Sequence, residues 1–251
     1  MKQAYLCEIV QNHLIAPDIY DMRFRCEAMA KASQPGQFVH IKCADHLNTL
    51  LRRPISICDV QGGQLRVIYQ VKGEGTRQLS LKKAGERLDV MGPLGRGFQI
   101  DKGNKKCAVI GGGIGTFPLL LLSKQLDKPD IYLGFRTREL VTLEQEFAAC
   151  AGSLTVATDD GSYGYNGFAI DALKAHLDGV DIIYACGPTP MLKAVQALSA
   201  ESGIPAQLSL EQRMGCGIGA CLTCVCNVRG HYAHVCKAGP VFKASEVTFD
   251  D

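Results

Sequence analysis

Residues 1–101 consist of short runs in which apolar and polar positions alternate, separated by turn-forming residues. Such alternation is typical of β-strands that bury one face. Gln34-Pro35-Gly36 and Gly62-Gly63 are examples of the intervening turns. Short strands at this spacing predict a small antiparallel barrel or sandwich. The predicted strands cover residues 4–10, 19–26, 37–42, 54–59, 64–71 and 87–91.

The pattern changes after the polar stretch at residues 101–106. From there, apolar runs of strand length alternate with segments of helical periodicity, which indicates a parallel α/β sheet. Strands are predicted over residues 107–110, 130–135, 154–158, 181–186 and 206–210. Helices are predicted over residues 117–126, 140–149, 168–177 and 191–202.

The expected fold class is therefore β plus α/β, with a small C-terminal unit. We expect an antiparallel barrel domain over residues 1–101, a parallel α/β domain over residues 102–210 and a third unit over residues 211–251, with the first boundary near Lys102. From Glu211 onward neither period holds, and Gly and Cys alternate with single apolar residues. Because such a segment cannot supply its own core, it is predicted to be a loop wrapped around a cofactor.

Composition and charge narrow the possible functions. The 251 residues are 47% hydrophobic and 21% charged, as in an ordinary globular protein rather than a disordered or fibrous one. A formal net charge of +2 provides no field that would recruit nucleic acid or an anionic membrane. The apolar run at residues 117–122 is far shorter than the ~20 residues of a membrane span. With no signal-peptide pattern at the N-terminus, we expect a cytoplasmic protein.

Twelve cysteines are the one unusual feature of the composition. In a reducing compartment disulfides are rare, so their distribution indicates their use. Five lie within residues 216–236, a density that suggests a metal site. The others are scattered through apolar stretches, where a cysteine usually acts as a small buried hydrophobe. These are Cys7, Cys26, Cys43, Cys58, Cys107, Cys150 and Cys186.

The C-terminal cysteines have the spacing of a plant-type [2Fe-2S] site. Cys216, Cys221 and Cys224 form C-x4-C-x2-C, and Cys236 follows after eleven residues. Small residues between the first two cysteines would let the backbone close around a cluster. Cys226 is the alternative fourth ligand, but the spacing favours Cys236. A structural zinc site is the alternative for the whole set, although a second C-x2-C knuckle is missing.

A basic strand start and a glycine-containing helix start predict a phosphate clamp in the barrel domain. The first is Arg52-Arg53-Pro54-Ile55-Ser56, and the second is Lys72-Gly73-Glu74-Gly75-Thr76 before a predicted helix over residues 77–82. Bare N–H groups near Gly75, the Thr76 hydroxyl and the Arg53 guanidinium could together bind a pyrophosphate. A proline-started strand beneath surface arginines is the structural alternative.

Two further turns predict dinucleotide binding in the α/β domain. Gly111, Gly113, Gly115 and Pro118 form G-x-G-x-x-P directly between a predicted strand and a helix, the context in which a glycine motif is informative. Cys186-Gly187-Pro188 repeats the arrangement after a later strand. Turns at the carboxyl ends of parallel strands form the crevice where nucleotides bind.

With these motifs the chain resembles the ferredoxin reductase superfamily and, within it, the electron-transfer subunits of two-subunit, NAD-dependent (type B) dihydroorotate dehydrogenases. The motifs that carry the resemblance are Arg53-Pro54-Ile55-Ser56, the G-x-G-x-x-P turn, Cys186-Gly187-Pro188 and the cysteine string that begins at Gly215. The resemblance implies an FAD-binding barrel, an NAD-binding α/β domain and a [2Fe-2S] domain. It also implies FAD contacts from Arg53, Pro54, Ile55, Ser56, Ile68, Tyr69, Gln70, Gly75 and Thr76.

The resemblance further implies a route for electrons in pyrimidine biosynthesis. An FMN-containing catalytic subunit, expected in a heterotetramer with two copies of each chain, would supply the cluster, and FAD would deliver a hydride to NAD+. Cys186 would lie near the nicotinamide side of the flavin, with a structural strand-end role equally open. None of the histidines matches a ligand spacing, so His13, His40, His46, His176, His231 and His234 are interpreted as structural.

Two other functions remain open at this point: a subunit of an NAD(P)H:ferredoxin or sulfide-type oxidoreductase, and a zinc-containing binding module that is not an enzyme. The choice of nucleotide depends on the second strand of the α/β domain, which runs into Arg136, Arg138 and Glu139. The two arginines could meet the 2′-phosphate of NADP. Because Glu139 could neutralise them and the resemblance implies NAD, the expected nucleotide is NAD.

Overall fold

The computed structural model describes residues 3–44, 49–101, 103 and 105–249. The predicted boundary residue Lys102 and the predicted structural residue His46 lie outside the described residues. Within the described part of the chain, no helix is both long and apolar enough to cross a membrane.

The N-terminal strands close into an antiparallel barrel, as their pattern predicted. Neighbouring strands follow the order β1-β2-β5-β4-β3-β6, and β1 pairs with β6 to complete the barrel. Two short helices, α1 (Glu27–Ala32) and α2 (Glu74–Ser80), connect strands, and the sequence pattern did not predict α1. The strands are β1 (Gln3–Ala16), β2 (Ile19–Arg25), β3 (Phe38–Ile41), β4 (Arg53–Gln61), β5 (Gln64–Gln70) and β6 (Arg87–Leu94).

Alternate residues of the strands fill the barrel. Ile9, Met22, Phe24, Leu65 and Leu88 are all completely buried there. Burial of each such side chain contributes about 1.5–3 kcal/mol. The alternation visible in the sequence is therefore the pattern that drives closure of the barrel and leaves the opposite strand faces for other contacts.

The following strands form the predicted parallel sheet, in the order β10-β9-β8-β7-β11-β12. Its strands are β7 (Cys107–Gly112), β8 (Asp130–Phe135), β9 (Ser153–Thr158), β10 (Tyr165–Asn166), β11 (Ile182–Cys186) and β12 (Ala206–Ser209). Its helices are α3 (Leu119–Ser123), α4 (Glu144–Ala148), α5 (Ala169–Lys174) and α6 (Thr189–Ser202). The β-barrel plus α/β fold class is confirmed.

Most of these helices are shorter than their periodicity predicted. The helix expected over residues 117–126 is α3, which follows a 3-10 turn at Gly113–Thr116. The helix expected over residues 140–149 is α4, which begins only after Leu143. Leu143 has φ 58°, in the left-handed region that helical residues do not occupy. A single backbone conformation thus delays α4 although the apolar spacing continues before it.

The segment after Glu211, predicted as a loop wrapped around a cofactor, also contains regular structure. Strands β13 (Val225–Val228), β14 (His231–His234) and β16 (Val247–Thr248) form a small sheet, and α7 (Val235–Ala238) follows β14. Strand β15 (Val241–Lys243) joins the large sheet and pairs antiparallel with β12. Val235 and Val247 pack into the same core as residues of α6 and β12. The segment has regular structure because it shares the core of the α/β domain.

Ion pairs join the barrel to the α/β domain, each with one buried and one partly exposed partner. Arg66 in β5 pairs with Asp21 in β2 at 2.7 Å and with Glu146 in α4 at 2.6 Å. The Arg66 and Asp21 side chains are only 7% and 4% exposed. Lys124, which follows α3, pairs with Asp59 in β4 at 2.5 Å. These contacts connect barrel strands to helices of the neighbouring domain.

Candidate functional site

The predicted cluster cysteines begin in a loop that leaves the large sheet after β12. Gly217 and Gly219 have φ values of 69° and 81°, which side chains disfavour. This conformation turns backbone N–H groups toward Cys216, whose Sγ accepts hydrogen bonds from Ile218 N at 3.5 Å and Ala220 N at 3.2 Å. The loop is thus shaped around a sulfur atom, consistent with the small residues between the first two cysteines.

The four predicted ligands are arranged as two pairs of thiols. The Sγ atoms of Cys216 and Cys221 lie 3.4 Å apart. Cys224 and Cys236 are both buried and lie close enough to interact. Burial, together with the neighbouring Cys224 thiol, raises the pKa of Cys236 to about 12. The loop supplies the first pair, and the second joins the end of the loop to α7.

In the pair nearer the surface, both thiols have lowered pKa values. Hydrogen bonds with Thr223 lower the pKa of the Cys221 thiol to about 6. Burial raises the pKa of Cys216, but hydrogen bonds from the backbone of Ile218 and Cys221 outweigh this effect, and the net shift is downward. Since the thiolate is the form that binds a metal, this pair is prepared for ligation.

Pairing of the thiols bears on the type of metal site. A structural zinc ion usually needs four ligands around one centre. A [2Fe-2S] cluster instead divides four thiolates between two irons, which fits two pairs of thiols.

The other nearby cysteine points elsewhere. Cys226 is 8% exposed and belongs to the apolar core, and its Sγ lies 3.7 Å from the carbonyl oxygen of Ala233 on the neighbouring strand β14. Cys236, in contrast, is paired with Cys224. The geometry therefore favours Cys236 over Cys226 as the fourth ligand.

A cavity of about 250 Å³ lies where the barrel, the α/β domain and the C-terminal segment meet. Its barrel wall contains residues that the family resemblance associates with FAD, namely Pro54, Ile55, Ser56, Ile68, Tyr69 and Gln70. Its remaining wall contains Lys72, Ile114 and Pro118, which belong to the predicted phosphate and nucleotide motifs. The other lining residues were not candidates in the sequence analysis: Phe38, Ser209, Leu210, Glu211, Gln212, Met214 and Pro240. We call this space the barrel cavity.

The predicted phosphate clamp is assembled in part. Arg53 lies against the start of α2, where a Cβ on Gly75 would come within 2.7 Å of the Arg53 Nε atom. The absence of a side chain at Gly75 thus makes room for the guanidinium. The Thr76 hydroxyl accepts hydrogen bonds from the N–H groups of Lys72 at 3.0 Å and Gly73 at 3.3 Å. These hydrogen bonds cap the start of α2.

The two predicted nucleotide turns meet beside the barrel cavity. Gly115 packs so closely on the second turn that a Cβ would lie 2.6 Å from Gly187 Cα. Gly111, one residue before the end of β7, packs closely on the following turn, where a Cβ would lie 2.9 Å from Thr116 Cα. Together the turns border a cleft of about 510 Å³, which we call the turn cleft. Its wall includes Gly112, Gly113, Ile114, Gly115, Gly187 and Pro188.

A third space of about 430 Å³ adjoins the turn cleft, and Arg136 lines both. We call it the outer cleft. Arg138 lies instead over the ring of Tyr163, 5.7 Å from its centroid. The acidic residue that lines the outer cleft with Arg136 is Asp159, at the end of β9. From the sequence, Glu139 was expected to neutralise the two arginines, and Asp159 was not identified.

Cys186 is buried behind these spaces rather than open to them. Its side chain is only 1% exposed, and burial, followed by the charge of Glu211, raises the pKa of the thiol far above its usual value. This environment favours the structural strand-end role that the sequence left open.

Glu211 lines both the barrel cavity and the turn cleft, as does Lys72. Desolvation raises the pKa of the Glu211 carboxyl, and the positive charge of Lys72 partly offsets this increase.

The histidines differ in their surroundings. His176 Nδ1 lies 2.9 Å from the Ala172 carbonyl oxygen, a local contact that fits the structural interpretation. His13 lines a separate cavity beside Arg66, and His231 and His234 lie on β14. His40 is almost completely buried next to the cluster loop, and burial lowers its pKa to about 4.

Solved structures with this architecture include a ferredoxin-NADP oxidoreductase and a ferredoxin reductase. The NADH-dependent reduced ferredoxin-NADP oxidoreductase is 33% identical, with a TM-score of 0.87, and the match covers 97% of this chain and 90% of that one. The ferredoxin reductase of carbazole 1,9a-dioxygenase shares the fold, with 21% identity and a TM-score of 0.67 over 81% of this chain and 67% of that one. The barrel, nucleotide turns and cysteine segment therefore define the class as a ferredoxin reductase-like oxidoreductase.

Curated relatives identify the family. Residues 211–248 match the iron-sulfur cluster binding domain of dihydroorotate dehydrogenase B. The electron transfer subunit of dihydroorotate dehydrogenase B (NAD(+)) from Geobacillus thermodenitrificans is 45% identical over 95% of this chain and 96% of that protein. The subunit from Caldanaerobacter subterraneus is 40% identical over 99% of this chain and 100% of that protein. The chain belongs to this family of electron-transfer subunits, and the sequence resemblance is confirmed.

Serine replacement of each C-terminal cysteine will test the ligand set. We expect iron to be lost in the Ser variants of Cys216, Cys221, Cys224 and Cys236, because each removes one thiolate. Cys226→Ser, which changes a thiol in the core, is the matched control and should keep its iron. Iron content per protein is the measurement. Full iron in Cys236→Ser together with loss in Cys226→Ser would reverse the assignment.

Arg53→Ala should weaken FAD retention. Loss of a charge-assisted hydrogen bond to a phosphate costs about 1.5–3 kcal/mol, which is about a ten- to hundredfold loss in affinity. Arg52→Ala is the control, since the Arg52 side chain pairs with Asp89 at 2.6 Å. Flavin content after dialysis is the measurement. Unchanged flavin in Arg53→Ala, or an equal loss in both variants, would move the phosphate site away from Arg53.

Proposed function

We propose that this chain transfers electrons between a dihydroorotate-oxidising catalytic subunit and NAD+, using a [2Fe-2S] cluster and FAD. The observation that carries the proposal is the adjacency of the three parts. The thiol pairs lie in the segment that also contributes Met214 and Pro240 to the wall of the barrel cavity. That cavity shares Gln70, Ile114 and Glu211 with the turn cleft. Family membership supports all three cofactors.

The residues of the chain bind and position the reacting groups. When bound, the flavin exchanges a hydride with the nicotinamide and single electrons with the cluster. Pro54, Ile55 and Ser56 offer the barrel strand as one wall for the flavin. Because Gly113 and Gly187 have no side chains, a dinucleotide can approach the backbone of these turns closely. The protein therefore contributes by placing the flavin and the nicotinamide close together in the junction, away from water. Hydride transfer itself requires no acid–base group.

The nucleotide end of the route lies in the two clefts. Phe135, Arg136 and Pro188 line both the turn cleft and the outer cleft, so one extended ligand can run through both. The outer cleft has largely apolar walls that include Phe168 and Met191, which suits an adenine ring. A dinucleotide with its adenosine in the outer cleft would direct its nicotinamide through the turn cleft toward the barrel cavity.

The catalytic chemistry on dihydroorotate belongs to the partner. The relatives of this chain are named as electron transfer subunits rather than as catalytic subunits. The partner is therefore a catalytic subunit, proposed to carry FMN and to assemble as two copies of each chain. One-electron steps between the two flavins would pass through the cluster, which lies in the segment at residues 211–248.

Reconstitution with the catalytic subunit will test this function. We expect NAD+ reduction driven by dihydroorotate only when both subunits are present, because neither chain holds the whole electron route. The purified chain alone should catalyse only diaphorase turnover with NADH and an artificial acceptor. Rapid NADH-dependent reduction of ferredoxin, with no association with the catalytic subunit, would favour the ferredoxin oxidoreductase alternative that the 33% identical structure represents.

Diaphorase kinetics will test the preference for NAD. We expect kcat/KM for NADH to exceed that for NADPH by about tenfold or more, because the Asp159 carboxylate would repel a 2′-phosphate in the outer cleft. Asp159→Asn should narrow the ratio by improving NADPH. Glu139→Gln removes the same charge from the residue that the sequence had favoured and should leave the ratio unchanged. Equal or better turnover of NADPH by the unmodified protein would mean that Arg136 binds the phosphate.

A further inference from the structure

One buried side chain near the cluster loop lacks hydrogen-bonding partners. His40 is 1% exposed, and neither Nδ1 nor Nε2 has a partner within hydrogen-bond geometry. Buried polar side-chain atoms nearly always have such a partner, so an exception calls for an explanation. Because both ring nitrogens of His40 are unpaired, we expect a hydrogen-bonding group to lie beside the ring in the functional protein.

The strand pairing puts His40 beside the barrel cavity. On β3 it shares a strand face with Phe38, two residues away, which lines that cavity. Across the β3–β4 pair, His40 lies opposite Pro54, and Phe38 lies opposite Ser56. Both β4 residues also line the barrel cavity. His40 thus occupies the next position along the wall that the proposed flavin contacts form.

The other side of the imidazole faces the cluster loop. A Cβ built on Gly217 would lie 2.5 Å from His40 Nδ1, so the ring packs directly against bare backbone of the loop. Gly217 immediately follows Cys216, and the backbones of Arg52 and Cys216 both lie close enough to interact with the ring. Arg52 Nη1 also approaches the backbone oxygen of His40 at 3.4 Å. His40 therefore lies between the barrel cavity and the first cluster cysteine.

We propose that His40 is a positioning residue that donates a ring N–H hydrogen bond to the Cys216 end of the cluster loop and thereby raises the reduction potential of the bound cluster. An imidazole carries at least one N–H donor whatever its charge, so the donor is always present. The inference rests on the proposed ligand set, because it assigns His40 to the loop that contains Cys216.

The expected effect follows from charge. Reduction adds negative charge to an iron–sulfur cluster, and hydrogen bonds toward the ligating sulfurs and their loop stabilise the reduced form. Backbone N–H groups of Ile218 and Ala220 already point at Cys216 Sγ from within the loop. His40 adds a donor from outside the loop, on the side of the barrel cavity. Removal of this donor should therefore make the cluster harder to reduce.

A potentiometric titration followed by EPR on the isolated, cluster-loaded chain tests the proposal. We expect His40→Leu to keep its iron but to shift the cluster potential to a more negative value. His40→Gln, which restores an N–H donor, should lie closer to the unmodified protein. His176→Gln is the control, since the side chain of His176 contacts the Ala172 carbonyl within the α/β domain. An unchanged potential in iron-replete His40→Leu would overturn the proposal.

A measurement on the unmodified protein covers the case in which His40→Leu does not fold. Pulsed EPR of the reduced cluster, with histidine labelled by 15N, should detect a weakly coupled histidine nitrogen. The coupling should disappear in His40→Gln and persist in His234→Gln, which removes another histidine of the C-terminal segment. The absence of a histidine coupling would overturn the proposal for His40 alone. The absence of any cluster signal would instead overturn the ligand set and, with it, this inference.

Discussion

The buried guanidinium of Arg66 is the contact on which the arrangement of the site depends. Removing a charge from water is costly, and the cost is recovered only when opposite charges meet it in good geometry. Asp21 provides one such charge from the barrel and Glu146 provides another from α4 of the α/β domain. A shift of either domain would leave Arg66 incompletely paired. The Arg66–Glu146 pair therefore favours the arrangement in which the barrel cavity and the turn cleft share lining residues.

Local patterns predicted most of the strands because each strand carries its own signal. The strand expected over residues 130–135 is β8 with the same limits, since its apolar run is bounded by polar residues and by Pro129. Signals for helices were less complete. The late start of α4 depends on the backbone of Leu143. The strand β15 forms only because β12 offers it an open edge, a contact between distant parts of the chain.

The same distinction separates the site residues that the sequence revealed from those that it missed. Pro54, Ser56 and Gly187 belong to short motifs, so their neighbours in sequence are also their neighbours in the site. Asp159 and His40 belong to no motif, and each acquires its significance only from a contact made by folding. For Asp159 that contact is the shared cleft with Arg136, which comes from a different strand. A contact between residues that are distant in sequence leaves no pattern in a single sequence.

The wall of the barrel cavity has a consequence for how the holoprotein matures. Leu210, Gln212, Met214 and Pro240 form part of that wall, and they flank or belong to the cysteine segment. Until this segment has folded onto the α/β core, the barrel cavity lacks its wall on that side. We therefore expect the C-terminal segment to fold before FAD is bound during biogenesis, so that variants that destabilise this segment also lose flavin.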